Sequence, residues 1–159
     1  AHRLRGALRD YLALPDAHLD FVVIDCPPSL GLLTINAFTA ADEVLIPIQC
    51  EYYALEGLSQ LLGSVQMIQK HLNPALHVST ILLTMYDGRT RLAQQVADEV
   101  RTHFSNEVLE TVIPRSVRVS EAPSFGQTVI AYDGHSAGAI AYREAAVEIV
   151  ARDTTTKED

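Results

Sequence analysis

The sequence has no tryptophan, two cysteines and, among its cationic side chains, only two lysines. Cys26 and Cys50 stand singly in apolar surroundings without CxxC or CxxH spacing, so we expect buried thiols and neither a zinc centre nor a disulfide framework. No run approaches the roughly eighteen consecutive apolar residues of a membrane helix. The first residues lack the charged, apolar and cleavage-site pattern of a signal sequence, so we expect none. These absences predict a cytoplasmic protein without a membrane segment.

The formal net charge of −8 argues against a protein that wraps nucleic acid, because phosphate binding depends on clustered lysine and arginine. Any DNA contact must therefore be local. Composition is otherwise that of a globular core, with 48% hydrophobic and 20% charged residues. We predict one domain over residues 1–152 and a polar, disordered tail over residues 153–159.

Hydrophobic periodicity predicts alternating helices and strands. Helical spacing marks residues 4–12, 32–40, 55–68, 90–104 and 136–149. Short apolar runs predict strands at residues 21–24, 44–48, 77–84, 108–113 and 128–131. This alternation predicts an α/β fold with a doubly wound, mostly parallel sheet and helices on both faces. Ligands of such folds bind at the carboxyl ends of the strands.

An acid ends the first apolar run. Asp25 follows four apolar residues, an arrangement that places a carboxylate at a strand tip, where it can hold a hydrated Mg²⁺ beside phosphates. The alternative is a turn or capping residue. Pro27 and Pro28 stiffen the loop that follows, whereas Gly31 permits movement, a combination that suits a nucleotide-sensing switch.

The segment FVVIDCPPSLG, residues 21–31, resembles the Walker B strand and switch II of the ParA/MinD/Soj family of deviant-Walker P-loop ATPases. The resemblance, greatest to the Soj-type chromosomal branch, continues in family order to about residue 145. Its further blocks are residues 46–57, 83–87, 89–90, 113–115, 120–124, 132 and 136–142.

The resemblance implies ATP and Mg²⁺ as cofactors and assigns roles to single positions. Asp25 would be the catalytic-site acid that holds Mg²⁺ through water. The adenine would be surrounded by Thr84, Met85, Pro114 and Arg115, although Pro114 also fits an ordinary strand-to-loop breaker. The switch and the homodimer interface would include Pro27, Pro28, Gly31 and Glu51.

Two arginines match positions at which Soj-like members contact DNA without sequence preference. Arg89 and Arg118 would bind phosphates, with an affinity that falls steeply with salt. The alternative for each is a solvated surface arginine. The resemblance further implies an ATP-switched dimer on the nucleoid, regulated by a ParB-type partner and acting in chromosome or plasmid partition.

A phosphate-binding loop is absent from this sequence. Such a loop needs a glycine-rich turn whose lysine precedes serine or threonine, and neither Lys70 nor Lys157 has that context. By the family's order of elements, the loop would lie upstream of Ala1. We therefore expect a C-terminal part of an ATPase domain that is inactive by itself.

Three other readings remain. A MinD-like division-site ATPase would need a C-terminal amphipathic helix for lipid, which the polar tail disfavours. A nitrogenase iron-protein type would need cluster-binding cysteines, and Cys26 and Cys50 do not fit that pattern. The third alternative is a non-enzymatic binding module without a P-loop. Only the sequence upstream of Ala1 would distinguish it from part of an enzyme.

Overall fold

The computed structural model describes residues 2–27 and 29–156, and the side chains of these residues up to Arg152. Its elements follow the predicted alternation of helices and strands from α2 to α4. In chain order they are α1 Arg3–Leu12, α2 Leu32–Ala40, β1 Glu43–Gln49, α3 Ala54–His71, β2 His77–Thr84, α4 Arg91–His103, α5 Val117–Glu121, a 3₁₀ helix Ala122–Phe125, α6 Val129–Tyr132 and α7 Ala137–Thr156. None of the described helices is long and apolar enough to cross a membrane.

Strands β1 and β2 pair with each other in an α/β fold with a parallel sheet. The buried residues of β1 alternate with exposed ones, and Pro47 is among the exposed. Proline cannot donate a backbone hydrogen bond, so it suits a strand with a free edge. In β2, by contrast, four consecutive residues from Thr80 to Leu83 are buried, the pattern of a strand covered on both faces.

Contacts divide the chain into two compact units. The first comprises Ala1–Val44 and Ser59–Ser79. Within it α1 packs against α2, and Asn73 is buried. The Asn73 amide donates hydrogen bonds to the carbonyl oxygens of Phe38 (2.9 Å) and Ala41 (2.7 Å), and so satisfies carbonyls that the end of α2 leaves unpaired.

The second unit comprises Leu45–Leu58 and Thr80–Asp159. Its core includes a cluster of fully or nearly buried side chains from β2, the segment after α4, and α7: Leu82, Leu109, Ile113, Ala141 and Ala145. Helix α4 begins where the sequence predicts, because the Thr90 hydroxyl accepts a hydrogen bond from the Ala93 N–H at 3.3 Å.

Two predicted strands are wrong. Residues 21–27 have no regular secondary structure, and the Val23 side chain is 91% exposed. An apolar run forms a strand only where a neighbouring strand pairs with it, and no described residue forms a backbone hydrogen bond with residues 21–24. Residues 129–132 form α6 instead of a strand, because the Thr128 hydroxyl caps the Ala131 N–H (3.2 Å).

Two further predictions are altered by the structure. The predicted strand at residues 108–113 forms no regular strand: Val108 makes an isolated parallel bridge with Ile81 of β2, and the Ile113 N–H donates to the Leu83 carbonyl. The predicted disordered tail begins in helix, because α7 continues to Thr156. Residues 157–159 of that tail lie outside the described residues. The single domain over 1–152 stays a prediction.

Candidate functional site

Three segments of the second unit meet at the carboxyl end of β2, and we call the meeting point the β2 edge. It comprises Glu51, Thr84, Met85, Pro114 and Arg115. The Cys50 N–H donates to the Thr84 carbonyl at 3.0 Å, and the Arg115 N–H donates to the Tyr86 carbonyl at 2.9 Å. The Thr84 hydroxyl donates to the Ile48 carbonyl at 3.1 Å. The structure thus brings together the four residues predicted around adenine and the predicted interface residue Glu51.

Met85 is an extra residue in the pairing at this edge. The Ile113 N–H donates to the Leu83 carbonyl at 2.8 Å, while the Ile113 carbonyl accepts from the Tyr86 N–H at 3.1 Å. In a regular parallel ladder, the two partners of Ile113 would be two residues apart instead of three. Met85 has a φ of 53° and is the non-glycine residue with positive φ in the described chain. The pairing therefore contains a β-bulge, a feature that is common beside active sites.

The bulge leaves the main chain of Met85 available. Neither its N–H nor its carbonyl takes part in a backbone hydrogen bond among the described residues. Its side chain is partly buried, and Pro114, opposite it, carries no N–H. A main-chain donor or acceptor without a backbone partner, beside the apolar ring of Pro114, can bind a polar group of a flat heterocycle.

Two residues of the β2 edge, Glu51 and Arg115, form an ion pair. Arg115 Nη2 lies 2.9 Å from Glu51 Oε1, and both side chains are about half exposed, at 53% and 52%. The pair links residues 64 positions apart. The pair therefore joins the Glu51 segment to Arg115, although an exposed pair contributes little stability.

The segment that carries Pro114 and Arg115 is held by α7. The N–H groups of Glu110 and Thr111 do not pair with β2 but donate to the Glu148 carboxylate at 2.9 and 3.1 Å. The Leu109 N–H donates to the Ile81 carbonyl, and the Ile113 N–H donates to the Leu83 carbonyl. The two donors are four residues apart, whereas their acceptors on β2 are two residues apart. Glu148 therefore satisfies the amides of a two-residue insertion.

Arg152 completes this contact with α7. Its guanidinium donates to the carbonyls of Asn106 (3.1 Å), Glu107 (3.1 Å) and Val108 (2.9 Å), and to Glu148 at 2.8 Å. Burial alone would raise the pKa of the Glu148 carboxyl, but the donors from Glu110, Thr111 and Arg152 outweigh it and hold that pKa below its usual value. We call Glu148 and Arg152 the α7 clamp.

Asp25 lies in the first unit. Its carboxylate is exposed and forms no ion pair or hydrogen bond among the described residues. Of the predicted switch residues, Pro27 is exposed, Gly31 precedes α2 as its N-cap, and Pro28 lies outside the described residues. The described residues contain no cluster of three or more potential metal ligands, so Asp25 offers one carboxylate rather than a complete cage.

Both predicted DNA-binding arginines lie in the second unit and are paired with acids. Arg89 donates from Nε to Asp87 Oδ1 at 2.8 Å and from Nη2 to Oδ2 at 2.7 Å. Arg118 Nη1 lies 3.2 Å from Glu121 Oε2, and its Nε lies 3.4 Å from Asp133 Oδ2. The sequence prediction did not include these carboxylates.

The cysteines remain free thiols. Cys26 is partly buried and Cys50 is buried. Burial raises the pKa of the Cys26 thiol, and the neighbouring Asp25 raises it further. Burial likewise raises the pKa of Cys50, against an opposing effect of Arg101. A raised thiol pKa disfavours the thiolate, so neither side chain has the character of a nucleophile.

Comparison with known proteins gives the chain its relatives. A family model described as an AAA domain matches residues 2–78. The chain is 60% identical over 132 residues to the sporulation initiation inhibitor protein Soj of Bacillus subtilis, a match that covers 83% of this chain and 52% of that protein. It is 53% identical over 152 residues to the chromosome partitioning protein ParA of Myxococcus xanthus, covering 96% and 52%.

Solved structures agree on the fold. Cobyrinic acid a,c-diamide synthase from Mycobacterium smegmatis, with bound ADP and magnesium, matches with a TM-score of 0.67 and 38% identity over 89% of this chain and 49% of that one. The cell division ATPase MinD of Pyrococcus furiosus matches with a TM-score of 0.71 and 25% identity, covering 93% and 57%.

The chain spans about half the length of the curated relatives that it matches. Identity of 50–60% extends over most of this chain, including the blocks from which the resemblance was predicted. That resemblance is confirmed: the chain is a homologue of the ParA/Soj chromosome-partitioning proteins.

Proposed function

We propose that this chain is part of an ATP-dependent partitioning protein, in which ATP binding closes a homodimer that holds nonspecific DNA. A ParB-type partner then stimulates hydrolysis and release, and the protein acts on the nucleoid. The observation that carries the proposal is the β2 edge. There, four residues assigned to adenine by family resemblance and the interface residue Glu51 come together around a strained, unpaired main-chain position.

The β2 edge fits the base of a nucleotide. Adenine presents hydrogen-bond donors and acceptors along its edge, and one of them can pair with the carbonyl or the N–H of Met85. Pro114 supplies apolar contact for the ring. The Glu51–Arg115 pair links this base-binding edge to the predicted dimer interface, so that nucleotide occupancy and dimer closure act on the same loop.

Asp25 fits the role of holding Mg²⁺ through water. Mg²⁺ keeps several waters and is commonly bound by one or two carboxylates together with substrate phosphates, so a single unpaired carboxylate is sufficient. When bound, Mg²⁺ would neutralise phosphate charge during hydrolysis. Lysine and glycine-rich contacts to the phosphates are absent from this sequence, so we propose that the chain by itself binds Mg·ATP weakly and does not hydrolyse it.

The decisive test compares the chain with the full-length protein, that is, this chain together with the remaining half that its relatives carry. Mg·ATP and DNA binding are measured for both at low and at physiological salt. We expect only the full-length protein to bind Mg·ATP and to gain salt-sensitive DNA affinity. If neither binds nucleotide, the non-enzymatic binding module replaces this proposal.

A matched pair of variants tests the Mg²⁺ role of Asp25. In the full-length protein, Asp25→Asn should abolish Mg²⁺-dependent hydrolysis, because the amide loses the negative charge that holds the hydrated ion. Asp20→Asn makes the same change of charge five residues earlier, at another exposed acid, and should leave hydrolysis intact. Equal activities in the two variants would remove Asp25 from the mechanism.

A further inference from the structure

The Arg89 guanidinium is occupied by a neighbour in its own loop. Its Nε and Nη2 form a two-pronged contact with the Asp87 carboxylate at 2.8 and 2.7 Å, and its backbone N–H donates to the same carboxylate at 3.1 Å. The arginine side chain is 88% exposed, whereas that of Asp87 is only 19% exposed. Asp87 is thus fixed within the loop, and Arg89 lies over it at the surface.

Arg118 is engaged in the same manner by two acids from different elements. Glu121 lies one turn later on α5, and Asp133 directly follows α6. The distances from the guanidinium to these carboxylates are 3.2 and 3.4 Å. Both arginines that the proposed function assigns to DNA phosphates therefore already contact protein anions.

We propose that Asp87, Glu121 and Asp133 limit the DNA affinity of the protein, because their carboxylates compete with DNA phosphates for Arg89 and Arg118. The inference rests on the proposed DNA-binding function and adds its regulation. A phosphate must replace a carboxylate or share the guanidinium with it, and the nearby negative charge repels the phosphate in either case. Nonspecific affinity is thereby kept low in a protein that must release DNA after each cycle.

The competing charge of Asp87 does not depend on pH near neutrality. Hydrogen bonds from Arg89 lower the pKa of Asp87 to about 2, so this carboxylate is ionised at physiological pH. Release of Arg89 therefore requires exchange of partners and does not follow from protonation of Asp87.

The size of the effect follows from the exposure of the pairs. Exposed ion pairs contribute a small free energy, which corresponds to about a two- to fivefold change in affinity for each pair that DNA must displace. We therefore expect Asp87→Asn and Asp133→Asn each to tighten DNA binding by about two- to fivefold, and the double variant by roughly the product of the two. The Asp87→Asn change keeps a side-chain oxygen that can accept the Arg89 backbone N–H, which preserves the loop.

The experiment measures binding of the full-length protein with Mg·ATP to a random-sequence duplex by fluorescence anisotropy across a salt series. Asp98→Asn is the matched control: Asp98 is an exposed acid on α4 that forms no ion pair among the described residues, and its loss changes net charge equally. Arg89→Ala is combined with each acid variant. We expect Arg89→Ala to cancel the gain from Asp87→Asn and to leave the gain from Asp133→Asn.

Three outcomes distinguish this inference from the proposed function. If wild type fails to bind DNA, or Arg89→Ala and Arg118→Ala bind as wild type does, the assignment of DNA binding to these arginines fails. If both arginines matter but Asp87→Asn and Asp133→Asn gain no more than Asp98→Asn, the competition is refuted. A gain from Asp87→Asn that survives Arg89→Ala would also refute it, since it would reflect general charge.

Discussion

Removal of the Glu148 carboxylate should loosen the segment that carries Pro114 and Arg115. In Glu148→Ala, the N–H groups of Glu110 and Thr111 lose their acceptor, and Arg152 loses its partner at 2.8 Å. Thr111 is partly buried, so its amide is not freely solvated by water. Two backbone hydrogen bonds to a charged acceptor at a partly exposed position give an expected loss of about 2 kcal/mol in the free energy of unfolding.

Glu148→Gln separates the hydrogen bonds from the charge. Its single carbonyl oxygen can accept one of the two amides, so we expect about half of the alanine effect, roughly 1 kcal/mol. The control is Glu144→Ala, one turn earlier on α7, where the side chain is exposed and forms no hydrogen bond or ion pair among the described residues. Urea unfolding at neutral pH, followed by far-UV circular dichroism, compares the three variants with wild type.

The stabilisation by Glu148 should depend on pH in a defined direction. Because the folded pKa of Glu148 lies below its ordinary value of 4.5, the native state favours the ionised carboxylate. The stabilisation is therefore fully present above pH 4.5 and disappears as the pH falls through the folded pKa. The stability difference between wild type and Glu148→Gln should shrink in acid. A difference that grows in acid, or one no larger than that of Glu144→Ala at neutral pH, would refute the clamp.

Three further predictions concern the two units separately. Asn73→Ala should lower the free energy of unfolding by about 2 kcal/mol, because the carbonyls of Phe38 and Ala41 lose a buried donor. Chemical denaturation measures this loss, and a loss no larger than that of a surface substitution would contradict the prediction. Thr90→Ala should cost about 1 kcal/mol through loss of the α4 cap, whereas Thr90→Ser should restore most of it in thermal unfolding. Phe21, Val22 and Val23 form an exposed apolar run, so Val23→Lys should lower the self-associated mass of this chain in light scattering. If the wild-type chain is already a monomer, or if the variant has the same mass as the wild type, the run does not cause self-association.

Sequence patterns predicted the elements whose partners lie within the chain. Strand β2 has the predicted bounds of residues 77–84, and α4 begins after Thr90, because a continuous apolar run and a side-chain cap are local signals. The run at residues 21–24 has an equally apolar pattern but is irregular, since no described strand pairs with it. Periodicity reports the preference of a segment, whereas a strand also requires a neighbour.

The candidate site shows the same division. The positions of Glu51, Thr84, Met85, Pro114 and Arg115 were predicted from the family resemblance, and the structure brings these residues to one edge, although their ligand roles stay predictions. The carboxylates that pair with Arg89 and Arg118 were missed. For Asp87 a signal was present, because an aspartate before glycine is typical of a turn in which the acid accepts nearby backbone N–H groups. Glu148 gave no such signal, since its partners are 37 and 38 residues away.

The bulge and the clamp together explain how the β2 edge reaches its geometry. The two-residue insertion after Leu109 would leave two amides without acceptors, and Glu148 satisfies them. Beyond Ile113 the pairing resumes, but the extra residue Met85, which directly follows β2, means that Arg115 pairs with Tyr86 instead of Met85. Each irregularity shifts one strand relative to the other. The hydrogen bonds of Ile113 to Leu83 and Tyr86 stabilise the bulge at Met85, and the α7 clamp stabilises the two-residue insertion. Together they leave the main chain of Met85 without a backbone partner among the described residues. Under the proposed function, Glu148→Ala should therefore weaken Mg·ATP binding by the full-length protein in a titration, whereas the exposed control Glu144→Ala should not.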